Sequence, residues 1–94
     1  MSSDSFMRIT LKLYAMLSDH LPLEADGQKR NGNELPLIVP EDTTVQGVID
    51  RYRLPPKLVH LVLVNGVYVP PQARAGLVLA ANDELAIWPP IAGG

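Results

Sequence analysis

Asn65-Gly66 stands between two apolar pairs, Val62 and Val64 before it, Val67 and Val69 after it. Asn and Gly accept the positive φ angles of a type I′ turn, the two-residue loop whose twist matches that of paired strands. The stretch therefore predicts a tight antiparallel hairpin, and Pro70-Pro71 ends the returning strand early. Residues 58–64 are apolar apart from His60, which predicts a strand buried on both faces. A chain that commits its middle to a hairpin must find other strands and a covering layer for it.

Those partners are legible on either side. Over residues 7–13, Met7, Ile9, Leu11 and Leu13 alternate with Arg8, Thr10 and Lys12, the period of a half-buried strand. Tyr14-Ala15-Met16-Leu17 breaks the alternation and predicts a turn. Residues 18–33 are polar and contain Gly27 and Gly32, so they read as a long loop with a mobile tip. Residues 34–39 (ELPLIV) form a second strand, and Pro36, which lacks a backbone donor, places it at a sheet edge. Thr43 and Gln46 have the spacing of a capping box. Val45, Val48, Ile49 and Tyr52 then recur on one helical face until Pro55-Pro56 stops the helix. Residues 72–81 have no clear period, Asn82-Asp83-Glu84 is a polar turn, and residues 85–88 are the last strand.

The order strand, strand, helix, strand, short strand, strand predicts an α+β fold: one mixed sheet of about five strands with a short helix packed across it. The reading takes residues 1–94 as a single domain, with 1–6 flexible and 89–94 protruding as a C-terminal tail.

Composition removes several classes of function. The chain has no cysteine, hence no disulfide framework, thiolate zinc site or thiol nucleophile of its own. His20 and His60 are far apart and lack a paired acidic motif, so no metal site is expected. Glu41-Asp42 precedes the helix and suits its positive end better than it suits a catalytic carboxylate pair. Gly47 has no neighbouring glycines to make a phosphate loop, and Ser2, Ser3, Ser5 and Ser18 have no nucleophile context. The basic residues are scattered, Lys29-Arg30 being an isolated pair, so no nucleic-acid partner is expected. The apolar runs, residues 61–64 among them, are too short for a membrane span, and no secretory leader is seen, so the expected location is cytoplasmic. An independent enzyme is not expected.

What remains is the end of the chain, Trp88-Pro89-Pro90-Ile91-Ala92-Gly93-Gly94. The two prolines fix φ and donate no hydrogen bond, so they end a ladder and launch the chain in an extended direction. Gly93 and Gly94 lack Cβ, and their backbone fits a slot that excludes every other residue. The result is a stiff stalk carrying an unhindered carboxylate. A carboxylate is a poor electrophile and reacts only after activation, for example as an acyl-adenylate made by a partner enzyme. Trp88, at the base of the stalk, is a candidate for packing and for partner contact alike.

Residues 83–94, Asp-Glu-Leu-Ala-Ile-Trp-Pro-Pro-Ile-Ala-Gly-Gly, resemble the ending of the small subunit of molybdopterin synthase. Residues 61–70, Leu-Val-Leu-Val-Asn-Gly-Val-Tyr-Val-Pro, are similar to the thiamin-biosynthesis sulfur carrier. Both belong to the MoaD/ThiS family of ubiquitin-like β-grasp proteins. The resemblance implies that a ubiquitin-activating-type adenylyltransferase uses ATP to adenylate Gly94, and that a sulfur donor enzyme converts the product to a thiocarboxylate. It further implies that Ile91, Ala92, Gly93 and Gly94 enter a partner's active site, with Trp88, Pro89 and Pro90 as docking candidates. The acceptor would be the large subunit of molybdopterin synthase or another acceptor synthase, and the carrier itself would bind no cofactor. The hairpin leans toward the thiamin carrier and the tail toward the molybdopterin one. Two other classes stay open: a protein modifier conjugated through Gly94, and a β-grasp interaction module with an incidental tail.

Overall fold

A computed structural model describes residues 5–25 and 27–90. Strand β1 spans Phe6–Leu13, and two short strands, β2 (Glu24–Ala25) and β3 (Gln28–Lys29), pair with each other. Then follow β4 (Glu34–Pro40), helix α1 (Val45–Arg51), β5 (Leu61–Val64), β6 (Val67–Tyr68) and β7 (Glu84–Trp88). The main sheet has five strands in the order β4-β1-β7-β5-β6. β1 runs parallel to β7, and every other neighbouring pair is antiparallel. First and last strands thus lie side by side at the centre, the mixed ubiquitin-like β-grasp arrangement.

Side-chain alternation puts the core on one face. The register sets Leu11 opposite Leu85 and both Leu13 and Val62 opposite Ile87, and all five are fully buried. Ile9, Leu35, Leu37 and Val39 extend that face across β1 and β4. Val45, Val48 and Ile49 of α1 complete the core with Leu17, Leu54 and Leu79. Every one of these residues trades water for close packing, about 1.5–3 kcal/mol for a fully buried large aliphatic side chain.

A helix as short as α1 would not persist alone in water. Its first backbone donors are satisfied from outside the helix. Val45 N–H donates to Leu77 O and Gln46 N–H to Arg74 O, while Gly47 N–H donates to Thr44 Oγ1 at 3.0 Å. The N-cap is therefore Thr44, one residue later than the expected Thr43. Thr43 is occupied elsewhere, its N–H bonded to Pro40 O and its carbonyl to Leu79 N–H. Gln46 does not reach back to the cap; its Nε2 donates to Asp50 Oδ1 at 2.9 Å. The helix closes at Tyr52, and Arg53 takes a left-handed φ of 53° before the prolines.

Other expectations need adjustment. β1 begins at Phe6, and Glu41 N–H donates to Ser5 O, so the ordered body starts within the stretch expected to be flexible. The loop after β1 is a 3-10 helix, Ala15–His20, followed by the β2–β3 hairpin, whose turn includes Gly27 at φ 79°. Asp26 lies outside the described residues. The strand expected over 58–64 is confined to Leu61–Val64, because Pro56 opens a 3-10 turn that takes in Leu58. Only Val62 of β5 is fully buried; Leu61 and Leu63 belong to the opposite, open face. Two expectations match: β4 is an edge strand, and Asn65 and Gly66 have φ of 52° and 83°.

Candidate functional site

The expected tail leaves from β7, and the structure shows how firmly its base is held. Tyr14 N–H donates to Ile87 O at 3.1 Å on one side, and His60 N–H donates to Trp88 O at 3.0 Å on the other. Trp88 is thus the last residue gripped by the sheet. Pro89 and Pro90 have no N–H to continue either ladder. Pro89 is buried and Pro90 exposed. Of the three docking candidates, Trp88 and Pro90 keep accessible surface, and Pro89 serves the body. Ile91, Ala92, Gly93 and Gly94 lie outside the described residues.

Trp88 belongs to the open face of the sheet, since Leu85 and Ile87 take the core face. Its indole stacks on the Tyr14 ring, with centroids 4.0 Å apart and planes inclined by 7°. The stack arises from the parallel register, which continues from Leu13 opposite Ile87 to the next residue of each chain segment. An aromatic pair of this kind contributes about 0.5–1.5 kcal/mol beyond the area it buries. It also fixes the indole plane, so the base of the tail presents a rigid surface. Tyr14 was not singled out by its sequence; its signal was its position after the strand that pairs in parallel with the last one.

Around this stack the open face divides into two sectors. Leu61 lies opposite Trp88 and Leu63 opposite both Ala86 and Tyr68, giving an apolar sector over β5, β6 and β7. Tyr68 is 52% exposed. Toward β4 the face becomes charged: Lys12 Nζ lies 3.1 Å from Glu84 Oε1 and 3.7 Å from Glu34 Oε2. Hydrogen bonding to Glu84, reinforced by the charges of Glu34 and Glu84, raises the Lys12 ammonium above its ordinary value of 10.5. An apolar sector beside a charged one suits reversible recognition by another protein: burial supplies affinity and charge supplies orientation.

The fold recurs in solved structures. The solution structure of the Haloferax volcanii HVO 2177 protein superposes with a TM-score of 0.70 at 22% identity, covering 95% of this chain and 88% of that one. The crystal structure of SAMP1 from Haloferax volcanii gives a TM-score of 0.62 at 24% identity, covering 93% of this chain and 99% of that one. The small archaeal modifier protein 1 (SAMP1) of Methanosarcina acetivorans gives 0.57 at 22% identity, covering 96% and 99%. No curated protein matches the chain. At these identities the structural neighbours establish the β-grasp fold. The family comes from the sequence itself: the model of the ThiS family matches residues 25–94, most of the chain and the whole of its C-terminal half, and the protein belongs to that family.

Proposed function

We propose that the protein is a sulfur carrier acting through Gly94, and that it performs no chemistry of its own. In this reading a Gly94 carboxylate oxygen attacks the α-phosphorus of ATP on a ubiquitin-activating-type adenylyltransferase, and pyrophosphate leaves. Sulfide delivered by a donor enzyme then attacks the acyl carbon, AMP leaves, and a thiocarboxylate remains. That sulfur passes to an acceptor, and the Pro-Pro-Ile-Ala-Gly-Gly ending favours a molybdopterin-type acceptor over a thiazole precursor. The observation that carries the proposal is a ThiS-family sequence whose central strand ends, at Trp88, in two prolines ahead of a diglycine. Ile91 and Ala92 span the distance into the partner's channel, and Gly93 and Gly94 pass its narrowest part. Trp88, Tyr14 and Pro90 form the docking base.

The test is intact mass after incubation with the cognate adenylating enzyme, ATP and a sulfide source. Replacement of one oxygen by sulfur, about +16 Da, is the expected product, at a terminus where the reacting atoms are those named above. An unchanged mass under conditions that consume ATP sinks the reading.

A second reading has an observation of its own. Two of the structural neighbours are named as small archaeal modifier proteins or SAMP1. As a modifier, the activated Gly94 acyl group would be captured by a lysine amine, leaving an isopeptide bond. Conjugates of higher mass in the same reaction, resistant to thiol reductants, favour that outcome.

A further inference from the structure

Arg74 carries a guanidinium cation, yet it is only 6% exposed. It follows the 3-10 turn Pro71–Ala73, and its carbonyl, accepting from Gln46 N–H, holds it against the start of α1. Its Nε donates to Val69 O at 3.2 Å and its Nη2 to His60 O at 3.3 Å. A guanidinium has five N–H groups; these two bonds engage two of them, along one edge of the fork. Among the described residues the ion pairs are those of Lys12 with Glu34 and Glu84, and none involves Arg74.

The same side chain lines a cavity of about 120 Å³, together with Gln46, Ile49, Asp50, Leu54 and Val59. Such a space has room for several waters, at about 10–15 Å³ each, and so for a small polyatomic ion. Water in it would satisfy N–H groups without supplying an ion-pair partner, and none lies within ion-pair distance of Arg74 among the described residues. An oxyanion does both, and two of its oxygens match the planar fork of a guanidinium. Asp50 also borders the cavity, and its carboxylate opposes an anion there, partly tempered by the bond it accepts from Gln46.

We propose that this cavity binds a small oxyanion, a carboxylate or a phosphate, through the edge of the Arg74 guanidinium turned away from Val69 and His60. Nothing in the proposal depends on Gly94. The site lies between α1 and the segment after β6, and it stands or falls apart from the carrier reading.

The test is a two-dimensional ¹H–¹⁵N NMR titration of the full chain with inorganic phosphate and, separately, with acetate, against sodium chloride at equal ionic strength. Saturable shifts at the amides of Gln46, Leu54 and Val59 and at the Arg74 Nε–H, absent with chloride, are expected. Which of the two anions saturates at lower concentration names the ligand class. Arg74→Gln should abolish the saturation. Because that variant loses two tethers and can fail to fold, Asp50→Asn supplies an independent reading: removing the opposing carboxylate should tighten binding several-fold. Shifts that grow linearly and match those of chloride overturn the proposal. So does saturation that survives Arg74→Gln, or an affinity that Asp50→Asn leaves unchanged.

Discussion

Asn65 does two jobs with one side chain. Its backbone takes the left-handed φ of 52° that the β5–β6 turn requires. Its Nδ2 donates to Asp83 Oδ1 at 2.8 Å, and its Oδ1 accepts from Glu84 N–H at 2.9 Å. Asp83 in turn accepts from Ala80 N–H through Oδ2 at 2.8 Å. The hairpin turn is thereby fastened to the turn that launches β7. Asn65→Ala loses both bonds and leaves in the left-handed region a residue without the short polar side chain that makes it tolerable to Asn, so about 2 kcal/mol of stability should disappear. Asn65→Gly keeps the turn and loses only the fastening, and it should cost about half as much. Urea unfolding of the two variants at unchanged m separates the terms. Equal losses would mean that the left-handed backbone contributes nothing, and an Asn65→Gly variant as stable as the parent would mean that the fastening contributes nothing.

At the scale of elements, α1 depends on its buried face. Ile49 is 4% exposed within the core, and Ile49→Asp brings a carboxylate there with no partner. A penalty of about 3–5 kcal/mol is expected, a large fraction of a small domain's stability. Loss of the cooperative transition in circular dichroism, or a midpoint displaced by that amount, is the readout. On the opposite face the β1–β7 pair carries the Lys12 cluster. Because folding raises the Lys12 value above 10.5, its contribution is complete below that pH. It is lost as pH climbs through the folded value. Lys12→Met should therefore flatten the alkaline limb of the stability profile and leave the neutral region without that dependence.

The elements also show what was legible beforehand. The hairpin at Asn65-Gly66, the edge strand marked by Pro36 and the face of Val45, Val48 and Ile49 are local signals, and each corresponds to an observed element. The Thr43 cap missed by one residue because a turn bond to Pro40 and a long-range bond from Leu79 engage the Thr43 backbone. The Tyr14–Trp88 stack and the Arg74 tether to His60 join residues well separated in sequence, so no local periodicity could reveal them. The chemistry proposed for the tail is argued from residue types alone, since it rests on φ restriction and on the missing Cβ rather than on packing.

For the molecule as a whole, the body and the tail should be separable. Chain ends free of ladder bonds tolerate truncation, and two prolines interrupt the ladder ahead of residue 91. Deleting Gly94, or replacing it together with Gly93→Val, should abolish activation by the adenylating enzyme and shift the melting temperature by no more than about 1 °C. Calorimetry beside a pyrophosphate-release assay checks both halves. A melting temperature that falls with activity would make the tail structural.

The position of β7 has a mechanical consequence. It lies between β1 and β5, bonded on both sides up to Trp88. A force applied at Pro90 along the strand axis loads both ladders in shear, and the bonds must yield together instead of unzipping one after another. A partner can therefore haul on the end of the chain while the globule behind it stays intact. The short outer strand β6, pulled from the rim, has no such protection. Stretching a single molecule from its carboxyl end should need a markedly greater rupture force than stretching it from a handle at Tyr68.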